Sequence, residues 1–76
     1  MHGFDRITFS PDQMGGRPCI RGLRVTVGLI VGQIGVGISI DQLLIDYPYL
    51  ERDDVFQALQ FAAWRASEQD LPLVAA

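Results

Sequence analysis

Ten residues near the N-terminus hold most of the side chains in this 76-residue chain that could do chemistry. The stretch over 15–24 reads GGRPCIRGLR and contains three arginines, three glycines and the only cysteine. Glycines beside basic side chains suit a phosphate-binding loop, a lone cysteine suits a nucleophile, and glycine with proline suits a tight turn. The rest of the chain discriminates among these three interpretations.

The two enzymatic interpretations find little support elsewhere in the sequence. A P-loop needs a lysine, and the chain has none. Catalysis by Cys19 would need a neighbouring base, and the only histidine is His2, near the terminus. One cysteine, one histidine and scattered carboxylates do not supply the three or four ligands of a metal site. We therefore expect a non-enzymatic protein with no metal and no cofactor.

The three arginines of the stretch, Arg17, Arg21 and Arg24, could instead bind nucleic acid. A guanidinium makes planar, forked contacts with phosphate or carboxylate. Held on a rigid turn, the three side chains could reach a DNA backbone or base edges, and they are the predicted DNA-binding residues. The alternative is that they are solvated or paired with carboxylates of the same chain, and the sequence leaves both open.

Charge and composition indicate a protein with partners. The net charge is −3, but residues 1–37 carry four arginines and two aspartates, whereas residues 38–76 carry two arginines and seven carboxylates. Hydrophobic residues make up 49% of a chain that is small enough to be marginally stable alone. We therefore expect a homodimer or a higher even oligomer.

Targeting signals are not evident in the sequence. The first ten residues lack an apolar segment, and a single cysteine cannot form an internal disulfide. The longest nearly uncharged run, 25–40, is too short and too rich in glycine to span a bilayer. These features predict a cytoplasmic protein with no membrane partner.

The elements that would position these residues follow from local signals. A β-element is predicted over 7–25, then helices over about 27–35, 40–47 and 52–67, within one domain spanning 1–68 and followed by a tail, 69–76. Thr26 is a predicted N-cap, Ser39 with Gln42 has the spacing of a capping box, and Pro48 ends the second helix. The short link between the last two helices is typical of a helix-turn-helix.

Two helix faces carry more apolar or small residues than one core needs. Gly28, Gly32 and Gly35 share one side of the first helix, which predicts that another backbone passes close by. The alternative is a frayed helix of low intrinsic propensity. On the last helix the predicted core stripe is Val55, Ala58, Leu59, Ala62 and Ala66.

Phe61 and Trp64 then fall on another side of the last helix. Together with Leu71 and Leu73 of the tail they form the predicted partner-binding surface, because aromatic anchors often dominate interfaces. The alternative is that Trp64 closes the domain's own core and that the tail takes no part.

The pattern of the whole chain resembles that of a known family. The carrying residues are Ile7, Pro11, the run 16–27 with Gly-Arg-Pro-Cys-Ile-Arg-Gly-Leu-Arg, Ser39-Ile40, Tyr47-Pro48 with Leu50, and Ala58-Leu59. They resemble the signature of the domain of unknown function 433 family over about residues 5–66. Leu23 stands where that family usually has threonine, and Glu51 where a serine or threonine cap is usual.

The resemblance implies a fold and a function. The fold is mostly α, with a short N-terminal β-hairpin followed by a three-helix, helix-turn-helix-like domain, and Gly16, Pro18 and Gly22 form a structural turn. Many members are assigned as antitoxins of type II pairs that bind and inhibit a PIN-like ribonuclease toxin and also bind their own promoter DNA. The alternative is a stand-alone helix-turn-helix regulator without a toxin.

Overall fold

The computed structural model describes residues 4–68, which form a two-stranded sheet and three α-helices. The strands are β1 (Ile7–Thr8) and β2 (Cys19–Ile20), with a 3-10 turn at Met14–Gly16 between them. The helices are α1 (Val27–Gly35), α2 (Ile40–Asp46) and α3 (Arg52–Glu68). The prediction of a short N-terminal β-hairpin followed by three helices is confirmed, and each helix ends within one residue of its predicted boundary.

The glycine- and arginine-rich stretch over 15–24 contains a tight turn. β1 and β2 pair antiparallel, with Ile7 opposite Ile20. After β2 the chain reverses through Arg21 and Gly22, whose φ values are 45° and 72°, and the Leu23 amide donates to the Ile20 carbonyl over 2.6 Å. Two successive residues with positive φ match the right-handed twist of a hairpin, and glycine adopts this conformation at low cost.

Side-chain caps start the first two helices where the sequence predicts them. The Leu29 amide donates to Thr26 Oγ1 over 3.0 Å, and the Gln42 amide donates to Ser39 Oγ over 3.0 Å. The predicted capping box at Ser39 is only half formed, because the Gln42 side chain donates to Asp46 Oδ1 over 2.9 Å instead of turning back to Ser39. Local hydrogen bonds thus fix the starts of α1 and α2.

The core lies between the strand pair and the three helices. α1 packs mainly against α3, and the two strands close one end. The buried apolar residues are Ile7, Ile20, Val25, Val27, Ile30, Leu43, Leu50, Val55, Ala58 and Phe61. Every element therefore contributes to one cluster, as expected of a single small domain.

The inward face of α3 differs from the predicted stripe. Val55 and Ala58 are buried as expected, but Phe61 is buried with them, whereas Ala66 is exposed. The reason is tertiary: Phe4, ahead of β1, lies against α3 with its ring 5.4 Å from that of Phe61 in an edge-to-face arrangement. The expectation that Phe61 faces away from the core is wrong.

The glycine face of α1 is open on its outer side. Gly28, Gly32 and Gly35 are exposed, and a Cβ at Gly32 or Gly35 would meet no atom of the described chain within 4 Å. No backbone of residues 4–68 therefore passes close to that face, and the prediction of a close approach is wrong within the single chain.

Candidate functional site

A buried carboxylate joins the β-element to the helix-turn-helix. Asp54 is fully buried and accepts hydrogen bonds from Arg21 Nη2 over 2.9 Å, Arg21 Nε over 3.1 Å and Arg6 Nη1 over 2.8 Å. The backbone amide of Glu51 also donates to Asp54 Oδ2, over 2.8 Å. No buried side-chain nitrogen or oxygen lacks a partner among the described residues.

Asp54, Arg6, Arg21 and the Glu51 amide form the Asp54 cluster, and each member is held by the element in which it lies. Asp54 is the third residue of α3, from which a carboxylate can turn back to the amide that precedes the helix. Arg21 occupies the left-handed turn after β2, and its Nη2 also donates to the Tyr49 carbonyl over 2.8 Å. Arg6 comes just before β1 and also pairs with Glu51 Oε1 at 2.8 Å. The cluster therefore ties both strands to the start of α3.

The electrostatics of the cluster keep Asp54 ionised. Burial desolvates the carboxylate and by itself would raise the pKa of Asp54. Hydrogen bonds from Arg21, from the Glu51 amide and from Arg6 outweigh that effect, so the pKa of Asp54 lies below its ordinary value. The bonds to Glu51 and Asp54 raise the pKa of Arg6, and the bond to Asp54 raises that of Arg21.

This geometry corrects the expected role of Arg21. The guanidinium that the sequence offered for DNA is bonded to a carboxylate 33 residues away. The structure thus supports the alternative of an internal ion pair at this position. A signal was available in the sequence: positions 54, 58 and 61 have the spacing of one helix face, so Asp54 occupies a core position that needs cationic partners.

Arg17 and Arg24, unlike Arg21, have no side-chain partner within the described part of the chain. Both are exposed, and neither side chain forms a hydrogen bond or an ion pair with residues 4–68. The turn between them is held in place, since the Gly22 amide donates to Thr8 Oγ1 and the Gln13 side chain donates to the Gly22 carbonyl, each over 2.9 Å. Of the three arginines of the predicted basic hairpin, two therefore remain available for a ligand, on a turn that hydrogen bonds hold in place.

The predicted structural turn is present in the backbone. Gly16 and Gly22 have φ values of 80° and 72°, where side chains are disfavoured. Pro18 precedes β2, and its carbonyl accepts from the Val27 amide over 3.0 Å. Cys19 is buried with its Sγ donating to the Arg17 carbonyl over 3.3 Å, so it packs as a small core residue. Within residues 4–68, no three His, Cys, Asp or Glu side chains are grouped to hold a metal ion.

The predicted partner-binding residues divide into three cases. Phe61 is in the core, which removes it from that surface. Trp64 is half-buried, with its ring 5.8 Å from Phe61 and 5.9 Å from Phe4, and so packs against the domain's own core. Leu71 and Leu73 lie outside the described residues.

Other apolar side chains occupy the surface instead. Among residues 4–68 the large exposed ones are Phe9 (47%), Val36 (78%), Ile45 (70%), Tyr49 (52%) and Phe56 (44%). Three of them belong to α2, α3 and the turn between these helices. None of these side chains was among the predicted partner-binding residues, because the aromatic pair Phe61 and Trp64 pointed to the end of α3.

No helix formed within residues 4–68 combines the length and the apolar character needed to span a bilayer.

Comparison with known proteins places the chain in a family. It is 34% identical over 56 residues to "Uncharacterized protein y4eO" of Sinorhizobium fredii, an alignment that covers 74% of this chain but 25% of that protein. Its fold is similar to the crystal structure of a DUF433 member protein from Anabaena variabilis, with a TM-score of 0.77 and 27% identity over 83% of this chain and 62% of that one. The chain thus spans only part of either relative. The sequence model described as "Protein of unknown function (DUF433)" matches residues 7–62, well over half of the chain, which therefore belongs to the DUF433 family.

Proposed function

We propose that this protein is the antitoxin of a type II toxin-antitoxin pair, which binds and inhibits a PIN-like ribonuclease without catalysing a reaction itself. The observation that carries the proposal is the set of large apolar side chains left in solvent around α2 and α3 while the core beneath them is closed. Clustered apolar residues with a polar rim are typical of protein-binding surfaces. The proposal places the protein in the cytoplasm of a prokaryote, where such a nuclease meets RNA.

Charge supports a nuclease as the partner. A PIN-like nuclease holds divalent metal with carboxylates and needs a basic rim to hold RNA phosphates. The second half of this chain carries seven carboxylates against two arginines, and Asp41, Asp46 and Asp53 are exposed. An acidic surface complements such a rim, which speeds association and favours the correct partner.

The test uses the protein encoded by the neighbouring gene. The two purified proteins are mixed at increasing ratios, and cleavage of a labelled RNA by the nuclease is followed together with complex formation by size exclusion. We expect cleavage to stop near a fixed stoichiometric ratio as a complex forms. A nuclease that stays fully active in excess of this protein would refute the proposal.

Binding to promoter DNA forms the second part of the proposal and is also the basis of the alternative function, a stand-alone regulator. The supporting observation is the pair Arg17 and Arg24, which are exposed on a braced turn without partners among residues 4–68. In a dimer they would make four phosphate contacts, so log affinity should fall against log salt with a slope of about −4.

The DNA experiment compares two double variants on a fragment from upstream of the gene. Arg17→Ala with Arg24→Ala should abolish binding, whereas Arg52→Ala with Arg65→Ala, two arginines of the acidic half, should leave it intact. Binding without any nuclease partner would favour the regulator. Equal binding by both double variants would remove the arginine pair from the DNA interface.

Self-association completes the proposal, with a second copy seated on the outer face of α1. That helix contains no charged residue, and its glycine face is open to solvent. Replacing Gly32 by glutamate should convert the dimer to a monomer of 8.4 kDa in light scattering, since a charge would be buried between the two copies. A wild-type protein that already scatters as a monomer at micromolar concentration would contradict a dimer.

A further inference from the structure

We infer that the outer surface of the helix-turn-helix, which has apolar side chains and exposed carboxylates, docks a partner protein whose own contact patch is basic. This α2–α3 surface consists of Asp41, Ile45, Asp46, Tyr49, Asp53 and Phe56. The inference rests on the proposed function, because it names the site and the chemistry by which the ribonuclease is recognised. It replaces the surface around Phe61, which the fold buries.

An ion pair between the two helices lies next to two apolar members of the surface. Arg52, at the start of α3, bonds to Asp41 in the first turn of α2. Ile45 follows Asp41 by one helical turn, and Phe56 follows Arg52 by one turn, so each lies beside the pair on its own helix. Tyr49 lies in the connection between them, with its ring 6.2 Å from Tyr47.

The core does not need these side chains. Leu43, Leu50 and Val55 fill the interior from the same three segments and are almost completely buried. Ile45, Tyr49 and Phe56 nevertheless keep 70%, 52% and 44% of their surface in water. Removing that surface from water is favourable on binding, and aromatic side chains at an interface commonly dominate its affinity.

The carboxylates of this surface determine which charge the partner's contact surface must carry. Asp41 and Asp46 are exposed on the same helix as Ile45, Asp53 is exposed on the same helix as Phe56, and the guanidinium of Arg52 pairs with only one of these carboxylates, Asp41. Asp53 is 75% exposed and approaches a cation, Arg6, no closer than 3.9 Å. An occupant with arginine or lysine around an apolar pocket is complementary to this arrangement, and an acidic one is repelled.

The same charges disfavour DNA as the occupant. In a DNA-binding helix-turn-helix the first turn of the second helix faces the bases. Here α3 begins at Arg52, followed directly by Asp53, and the preceding Glu51 is also exposed. Those carboxylates would approach phosphates, and the neighbouring guanidinium of Arg6 is already shared among Glu51, Asp53 and Asp54, so this surface favours a basic protein.

The experiment measures binding to two probes. The first is the nuclease encoded by the neighbouring gene, and the second is a cationic amphipathic helical peptide of leucine and lysine, compared with the same peptide carrying glutamate. The test variant is Ile45→Ser with Phe56→Ser. Its control is Phe9→Ser, which removes a phenylalanine of exposure similar to that of Phe56, 47%, from outside the surface. Unchanged circular dichroism and thermal unfolding establish that each variant folds.

The expected result is a loss of at least about 30-fold in nuclease affinity for the test variant and less than about threefold for the control. Asp41→Asn with Asp53→Asn should slow association and reduce its dependence on salt. The lysine peptide should bind the wild type and not the test variant, and the glutamate peptide should bind neither.

Failures of the two proposals can be told apart. If the nuclease binds the wild type and the test variant equally, the α2–α3 surface is refuted while the antitoxin function stands. If the nuclease does not bind at all, the antitoxin function is refuted, and the peptides then test the α2–α3 surface by themselves. Equal binding of the lysine and glutamate peptides, or binding of neither, would refute the α2–α3 surface. Loss of promoter DNA binding in the test variant alone would assign the surface to DNA instead.

Discussion

Removing the charge of Asp54 is the sharpest test of how this fold is held together. Asp54→Asn keeps the size and shape of the side chain but replaces the carboxylate that joins Arg6, Arg21 and the Glu51 amide. The variant leaves two guanidinium groups without their shared anion and turns an amide nitrogen toward one of them. We therefore expect the hydrogen bonds and ion pairs that hold the β-element against α3 to be lost.

The magnitude follows from burial. Breaking a buried ionic network by removing one member costs about 3–5 kcal/mol. The guanidinium side chains of Arg6 and Arg21 are 27% and 36% exposed and can regain water, so we expect the lower end, about 3 kcal/mol. For a domain of this size that corresponds to a fall of roughly 12–24 °C in Tm. At about 0.1 kcal/mol per residue the 76-residue chain has a total stability of roughly 8 kcal/mol, so the variant should stay folded but lose more than a third of that stability.

The assay is thermal and urea unfolding followed by circular dichroism, with Asp53→Asn as the matched control. Asp53 is the adjacent residue, is 75% exposed and lies 3.9 Å from Arg6 Nη2, so its loss should change the free energy of unfolding by less than about 0.5 kcal/mol. An Asp54→Asn protein that melts within 3 °C of the wild type, as roughly 0.5 kcal/mol would allow, would refute the structural role of the cluster.

The dependence on pH gives an independent reading of the same group. The pKa of Asp54 is lower in the folded protein than the unfolded value of about 3.9, so its contribution is complete above that value and is lost as pH falls through the folded pKa. The gap in unfolding free energy between the wild type and Asp54→Asn should therefore be constant from pH 5 to 7 and shrink below about pH 4. A gap that does not change down to pH 2 would point to a cause other than the charge.

Three further predictions concern single elements. Gly32→Ala should raise the free energy of unfolding of the monomer by up to about 1 kcal/mol, because the added methyl group meets open space. Gly22→Ala should lower the free energy of unfolding by about 1 kcal/mol, because φ at this position is +72°. Urea titration of both variants measures the two changes, and equal changes would contradict the prediction. Thr26→Ala should cost about 1 kcal/mol through the lost cap on α1, and no change in the urea midpoint would dismiss the cap. Cys19 should react with a thiol reagent only in denaturant, and rapid modification of the native protein would show that the strand pair opens.

The helices were predictable because their boundaries depend on neighbours in sequence. Thr26 and Ser39 accept from amides three residues later, and Pro48 follows the last turn of α2. Such interactions are local, so the sequence alone contains both partners at a known spacing. The turn at Gly22 was predictable for the same reason, since its conformation is a property of the glycine itself.

The exposed surface was harder to predict than the helices. The periodicity of α3 was read as a stripe of small residues, which left Phe61 on the outside, but Phe4 covers that side of the helix and buries it. A helical wheel gives the relative directions of side chains but does not say which direction faces the core. That choice depends on what packs against the helix from elsewhere in the chain.

The sequence by itself determined where the helices begin and end, the acidic character of the second half and the tight turn at 15–24. Only the tertiary structure decided that Arg21 pairs with a carboxylate of the same chain, because its partner Asp54 lies 33 residues further on. A carboxylate at a core position must find cations when it is buried, yet the sequence names six arginines without saying which ones come within reach. Folding brings Arg6 and Arg21 to Asp54, and by doing so leaves Arg17 and Arg24 free of partners among residues 4–68.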